Sequence, residues 1–507
     1  MLSAGSTQHF VGVDLGTTGA RAAVFDGAGR PLGETTREYP LYTPRPGWAE
    51  QDADQVWTTA AACLRGALRR ANLRRPRVAL GISGTFHNVL PIGQDGRPRG
   101  RALIWADTRA VLEAAQIKAS HDPSELYARS GCPVHPMYLP AKLRWLRAHG
   151  GAAPRYGTIM EDFAHRLTGV WACSRSAASG TGLLNMLRGA WDEELLEIAG
   201  VRADQLGPLV EPTEVLGQLT PEAAQATGLD RSSVVVPGAG DGVLSSLGAG
   251  TIGPGQMTAT IGTSGAVRLV ADAPKVDRQA RTWCYYLAAG RWVAGAAINN
   301  GGIAFRWAAE KLLRAGSRAY QRTLDWAEEA GPGAGGLLFL PFLTGERAPY
   351  WNADARGVLA GLAIEHDHRH IARATLEGIC YRMRSIALAL DEVAGPVTEI
   401  RATGGYTRSP FWLQMLADVL ERPLVVPSVQ EASALGAAEL AMLGTGALPD
   451  LAATGSFVTI GQPIEPNAAR SAIYRRVFDL WMAHYWSLSP HFATVAALQR
   501  DLADAEG

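Results

Sequence analysis

The sequence has no GxxxxGK[ST] phosphate loop, no CxxC pair and no run of about 18 apolar residues such as a membrane span requires. Each absence removes a class of function. Five cysteines, Cys63, Cys132, Cys173, Cys284 and Cys380, lie far apart, which argues against a disulfide framework or a thiolate metal site. Reduced buried thiols in a cytoplasmic protein are expected instead. Charge of one sign is also lacking. Lys plus Arg and Asp plus Glu each total 48, so bulk charge favours neither nucleic acid nor a membrane as partner. The opening residues MLSAGSTQHF have no basic start ahead of an apolar run, so no signal peptide is expected. His366, His368 and His370 have no matching ligand pair and read as a solvated helix start, with Asp367 available as its cap. Two glycine sets match GxGxxG by count, Gly248/Gly250/Gly253 and Gly331/Gly333/Gly336. Neither lies between a strand and a helix, so neither is a dinucleotide fingerprint.

What is present is a globular composition, 47% hydrophobic and 19% charged, in a chain of 507 residues, enough for two or three domains. Strand and helix patterns alternate, as in α/β layers. FVGVDL and ARAAVF read as two strands joined by Gly-Thr-Thr-Gly, and GRPLGETTREYPL as a third. DADQVWTTAAACLRGALRRA is a helix behind a cap at Asp52 or Asp54. RVALGIS and ALIWAD are strands, and SVVVPGAGDGVLSSLGAG reads as strand, loop and helix start. Further on, GQMTATIGTSGAVRLVA repeats the opening device. DLGTTGARAAV and TIGTSGAVRLV share the turn and its flanking β pattern, which indicates an internal duplication. A boundary just before the second copy gives domains 1–252 and 253–507. The second half alternates again, with RATGGYTRSPFWLQMLADVLERPLVVP as strand, glycine turn, helix and strand. EASALGAAELAMLGTG is an alanine-rich helix and YRRVFDLWMAHYWSLSPHF an amphipathic one.

The chemistry starts at the hairpins. Gly16 and Gly19 let backbone approach phosphate oxygens, Thr17 and Thr18 can donate hydroxyls, and Asp14 offers a hard oxygen to Mg2+. A tight turn that merely satisfies its own threonines would look the same. The second set, Gly262, Thr263 and Ser264, favours phosphate, because two facing hairpins would grip a nucleotide triphosphate from both sides.

A duplicated hairpin of this type resembles the actin, heat-shock chaperone and sugar kinase superfamily. Within it the chain is similar to the FGGY carbohydrate kinases over about residues 10–490. PGWAEQD at 46–52 and GVLAGLAIEHDHRHIARATLEGI at 357–379 carry the resemblance. MYLPAKLRWL at 137–146 departs from the family pattern at Leu139 but keeps Lys142 and Trp145. The resemblance implies an α/β fold of two ribonuclease-H-like domains with an ATP cleft between them, and ATP with Mg2+. By resemblance Asp241 stands where the family keeps its general base, a carboxylate able to take the proton of an attacking hydroxyl.

Phe86 and His87 in GISGTFHNVL, and Trp105, Asp107 and Arg109 in IWADTRA, lie on the loops that floor the sugar site in related kinases. His87 as an ordinary loop residue, and Arg109 as the partner of Asp107, are the alternatives. Gly404, Gly405 and Ser409 match the adenosine site, and Gly301 and Gly302 begin a helix over the nucleotide. GERAPYW at 345–351 is either a loop near the cleft or a plain connection. Among the FGGY kinases, WADTRA, SGTGLLNM and YYLAAGRWVAGAAINNGGIAFRW are most similar to the gluconate kinases. Arg109, His87, Asn299 and Asn300 are then candidates for the acceptor's carboxylate. A xylulose kinase or other pentulose or polyol kinase is the alternative, and an ATP-gated binding protein or silent sugar sensor the non-kinase one. The partner is a small sugar or sugar acid, and at family level a homodimer is implied.

Overall fold

The computed structural model describes residues 9–429 and 431–506, the last four by backbone alone. Residues 1–8, most of the stretch inspected for a signal peptide, lie outside the described residues. The chain forms two compact units. The first comprises residues 1–254, 270–294 and 429–459, and the second residues 255–269, 295–428 and 460–507. Two segments of the second half of the chain therefore belong to the first unit.

The first unit opens with β1 (His9–Leu15) and β2 (Gly19–Phe25), an antiparallel hairpin turned by Gly-Thr-Thr, and β3 (Pro31–Glu38) extends it. α1 (Ala53–Arg70) starts where the Asp52 carboxylate accepts the amides of Asp54 and Gln55, which settles the cap on Asp52. β4 (Val78–Gly84), α2 (Leu139–Ala148), β5 (Gly217–Gln218), β6 (Val234–Gly240) and α3 (Asp241–Gly248) follow. The sheet order is β5-β6-β4-β1-β2-β3, with β1, β4 and β6 parallel. β4 is buried throughout, as expected of a parallel strand covered on both faces.

Two local expectations change. ALIWAD is strand only at Ala102–Leu103, because the chain turns as the Asp107 amide bonds back to the Ile104 carbonyl. No loop separates β6 from α3. Gly238, at φ +71° inside a bulge of β6, brings the strand straight into the helix, and a Cβ there would lie 1.7 Å from the Ile82 carbonyl oxygen.

The second unit repeats the device. β7 (Gln256–Ile261) and β8 (Gly265–Ala271) form the second hairpin, in register from Met257–Leu269 to Ile261–Gly265. α4 (Gly302–Trp307), α5 (Ala319–Glu329) and α6 (His368–Ala394) follow, the last capped by Asp367. Next come β9 (Glu399–Thr403), α7 (Pro410–Leu420) and β10 (Leu424–Val425). β7 pairs in parallel with β9, and β9 with β10. Each unit thus has a hairpin whose first strand runs parallel to two later ones.

α8 (Ala432–Gly444) returns to the first unit and lies directly on its sheet. The approach is so close that a Cβ on Gly12 would sit 1.7 Å from the Ala434 carbonyl oxygen, and one on Gly81 1.9 Å from that of Ala437. Gly248 of α3 and Gly436 of α8 make equivalent contacts between the two helices. Among the described residues no helix is long and apolar enough to cross a membrane.

Gly12→Ala is expected to cost about 1–3 kcal/mol of stability, because the added methyl must displace helix backbone. Gly27→Ala, where a Cβ meets nothing within 4 Å, should be near neutral. Urea midpoints of the two variants check this, and equal midpoints would contradict the packing.

Candidate active site

The parallel register of the first unit brings the candidates Asp14 and Asp241 to one edge, with Ser83 between them. Asp14 on β1 stands opposite Ser83 on β4, and Ser83 opposite Ala239 on β6, two residues before Asp241. Carboxyl ends of parallel strands are where open α/β sheets bind ligands. At about 4.8 Å per strand, Asp14 and Asp241 rise from strands about 10 Å apart. The Ser83 hydroxyl donates to Asp14 Oδ1 at 2.6 Å. Desolvation raises the Asp14 pKa, opposed by Ser83 and the Arg21 charge. Arg21 itself pairs with Glu431. Asp241 is the first residue of α3, and its Oδ1 accepts the Gly242 amide at 2.6 Å.

The first hairpin loop is held from behind. The Gly16 carbonyl accepts the Tyr39 hydroxyl at 2.5 Å and the Gln51 amide at 2.9 Å. Gln51 also donates to the Thr17 carbonyl at 2.8 Å, and the Tyr39 amide to that of Thr18 at 3.1 Å. With its carbonyls engaged, the loop can offer donors to a ligand, the polarity that phosphate needs. Tyr39 and Gln51 were not singled out from sequence; Gln51 lies in PGWAEQD, whose match gave no residue a role.

Below that edge the sugar-site candidates separate into two kinds. Phe86 is a buried spacer, its ring wedged so tightly that a Cβ on Gly240 or Gly180 would fall 2.0 or 2.2 Å from it. His87 sits at φ +64°, its Nδ1–H donating to the Gly180 carbonyl at 2.6 Å. Its imidazole lies edge-on to Tyr138 and 5.6 Å from Tyr285, whose hydroxyls bond each other at 2.8 Å. Trp105 donates its indole N–H to Thr17 Oγ1 at 2.9 Å, joining this loop to the first hairpin.

Asp107 and Arg109 are committed to one another. Asp107 is fully buried, accepts the Ala49 amide at 2.7 Å and takes a forked pair from Arg109 at 2.7–2.9 Å. Arg109 also bonds Glu50 at 2.7 Å and lies 3.6 Å over the Trp48 ring. Lys142 is buried nearby, donating to the carbonyls of His87 and Ile104. Burial lowers its pKa to about 7, with Asp107 opposing and Arg109 reinforcing the shift.

The second unit holds a cavity of about 530 Å3, within the range of ligand pockets. Gly262, Thr263, Gly302 and Gly405 line it, as do Phe305, Tyr320, Tyr406 and Trp412, which sequence reading missed because they are spread over four segments. Its hairpin is also held from behind: the amides of Gly302 and Ile303 donate to the carbonyls of Gly262 and Thr263 at 2.7 and 3.0 Å, and the Ser264 carbonyl accepts the Gly262 amide at 2.9 Å. Gly404, at φ +99°, lets the turn after β9 pass the Ile261 carbonyl. Ser409 is not on the cavity wall; its buried hydroxyl caps α7 by accepting the Trp412 amide at 3.2 Å. Asn300 is likewise occupied, bonding Gly345 and Thr344, and Asn299 accepts from Arg347. The loop Gly345–Trp351 is anchored through the fully buried Glu346–Arg382 pair. Among the described residues no group of three or more His, Cys, Asp or Glu could hold a metal.

Arg109→Met should lower unfolding free energy by about 3–5 kcal/mol, since it strands the buried Asp107 carboxylate. Denaturant titration checks this; unchanged stability with lost turnover would make Arg109 a ligand contact instead.

Comparison with known proteins identifies the family. Residues 9–248 match the N-terminal domain, and 257–445 the C-terminal domain, of the FGGY family of carbohydrate kinases. The chain is 36% identical to a gluconokinase of Bacillus subtilis (strain 168), over 98% of this chain and 99% of that one. A crystal structure of gluconate kinase from Lactobacillus acidophilus superposes with a TM-score of 0.92 at 31% identity, covering 97% of this chain and 100% of that one. A ligand-bound xylulose kinase from the same species does so with the same score and identity, covering 96% and 100%. The fold is the two-domain α/β fold of these kinases. The chain belongs to the FGGY family of carbohydrate kinases and is an ATP-dependent sugar kinase.

Proposed function

We propose that the enzyme transfers the γ-phosphoryl group of ATP to the terminal hydroxyl of D-gluconate, giving 6-phosphogluconate. The observation that carries the reading is the alignment of Asp14, Ser83 and Asp241 at the ends of three parallel strands. Gluconate as acceptor is supported by the 36% identity to the Bacillus gluconokinase along nearly the whole chain. Asp241 acts as general base, accepting the hydroxyl proton as the O–P bond forms, worth about 10²–10⁴ in rate. His87 and Trp105 contact the acceptor, while Asp107 and Arg109 frame the loop that carries Trp105. Thr17 and Thr18 donate to phosphate oxygens, as do Thr263 and Ser264, while Gly16 and Gly262, whose amides close their own turns, let the backbone come close. The adenosine lies in the cavity beside Gly302 and Gly405, with Gly404 shaping its wall.

Asp14 fits a Mg2+ ion that arrives with the nucleotide. Magnesium is commonly held by one or two carboxylates plus substrate phosphates rather than by a full protein cage. A carboxylate that desolvation leaves short of solvation gains from a cation. Bound there, the ion would neutralise phosphate charge. Five free, buried cysteines suit a reducing cytoplasm.

The same likeness to a xylulose kinase structure supports xylulose as the second reading. ADP release over gluconate, xylulose, ribulose, glycerol and common pentitols separates the two. Gluconate is expected to give the highest kcat/KM. Highest turnover with xylulose would favour the second reading, and no stimulation by any acceptor would overturn both.

A further inference from the structure

Lys142 is an expensive residue for its position. It lies on the buried face of α2 among Leu139, Ala141, Leu143 and Leu146, and is itself fully buried. A Leu or Met there would pack against the same surroundings, whereas an ammonium taken out of water is costly unless its donors are well used. No carboxylate bonds it. Asp107, whose charge it feels, is engaged by Arg109 and Ala49. Its two acceptors are main-chain carbonyls, His87 at 2.7 Å and Ile104 at 2.6 Å. Those carbonyls belong to the two segments that carry the acceptor-site side chains, 17 positions apart in sequence; an isolated bridge pairs Val89 with Leu103, and His87 and Ile104 lie outside it.

We infer that Lys142 is the positioning residue of the acceptor site, setting the separation of the His87 imidazole and the Trp105 indole by holding both backbones on one ammonium. The inference rests on the reading of these loops as the acceptor site. Each loop is rigid beyond that tie. His87 is in the left-handed region, a conformation unfavourable for a residue with a β-carbon, and its ring is held by the Gly180 carbonyl. Ile104 immediately precedes Trp105, whose indole is fixed on Thr17 Oγ1. A shift at Lys142 therefore moves the imidazole relative to the indole, which Thr17 Oγ1 keeps on the first hairpin. The nucleotide cavity, built from other segments, contains none of these residues.

Lys142→Met tests this by steady-state kinetics with acceptor and ATP varied separately. The acceptor KM should rise and its kcat/KM fall by up to about a hundredfold, the scale on which a misplacement of about 1 Å acts on rate. The ATP KM should stay within about twofold. Lys142→Arg keeps the charge but not the reach, and should show the same selective loss; it carries the test if the Met variant does not fold. An unchanged acceptor KM, or acceptor and ATP KM rising together, would overturn the inference and leave a structural lysine. Wild-type enzyme that phosphorylates no sugar would remove the acceptor site itself, a failure seen before either variant is assayed.

Discussion

Three parallel strands that end in step are the constraint on which the first unit's chemistry depends. Because β1, β4 and β6 share one register, Asp14, Ser83 and Asp241 arrive at one edge without any loop having to carry them there. The bulge at Gly238 is part of the same constraint. It lets β6 run directly into α3, so that Asp241 is fixed at a helix start rather than left on a connection. A general base needs that fixity, since its contribution depends on reach to a particular hydroxyl.

Both hairpins are built on one principle with different parts. In the first, side chains of Tyr39 and Gln51 take the loop carbonyls; in the second, the leading amides of α4 do so. Either way the carbonyls of Gly16 and Thr17, or of Gly262 and Thr263, are used up from behind, and the hydroxyls of the loop are what a phosphate would meet. Duplication explains the shared strands, and the differing supports fit the different neighbours. At the proposed acceptor site, Asp107 and Arg109 pair beneath one loop, and Lys142 donates to a carbonyl of each of the two loops.

What the sequence reveals is what local pattern controls. The hairpins, the Asp52 and Asp367 caps and the buried strand at Val78–Gly84 follow from period and capping chemistry within a few residues. The family likewise follows from contiguous motifs. Long-range commitments do not. Ser409 reads as an adenine contact, and its hydroxyl also caps α7; Asn300 reads as a carboxylate donor, and its amide also bonds Gly345. Asp107 and Arg109 suit a sugar site equally well as ligands or as a pair, and only the fold shows the pair with Glu50 and Ala49 closing around it. The placement of α8 on the first unit was invisible because its contacts run through Gly12 and Gly81, residues with no side chain to announce a partner. The acceptor's identity rests on shape at side-chain level, which two kinases of one fold can share.

The central claim is that Asp241 supplies the base for transfer from ATP. Asp241→Asn keeps the size of the side chain and removes its basicity. Single-turnover transfer from radiolabelled ATP to the acceptor, with nucleotide affinity measured in parallel, tests it most directly. Transfer should fall by about 10²–10⁴ with nucleotide affinity unchanged. Transfer at the wild-type rate would contradict it.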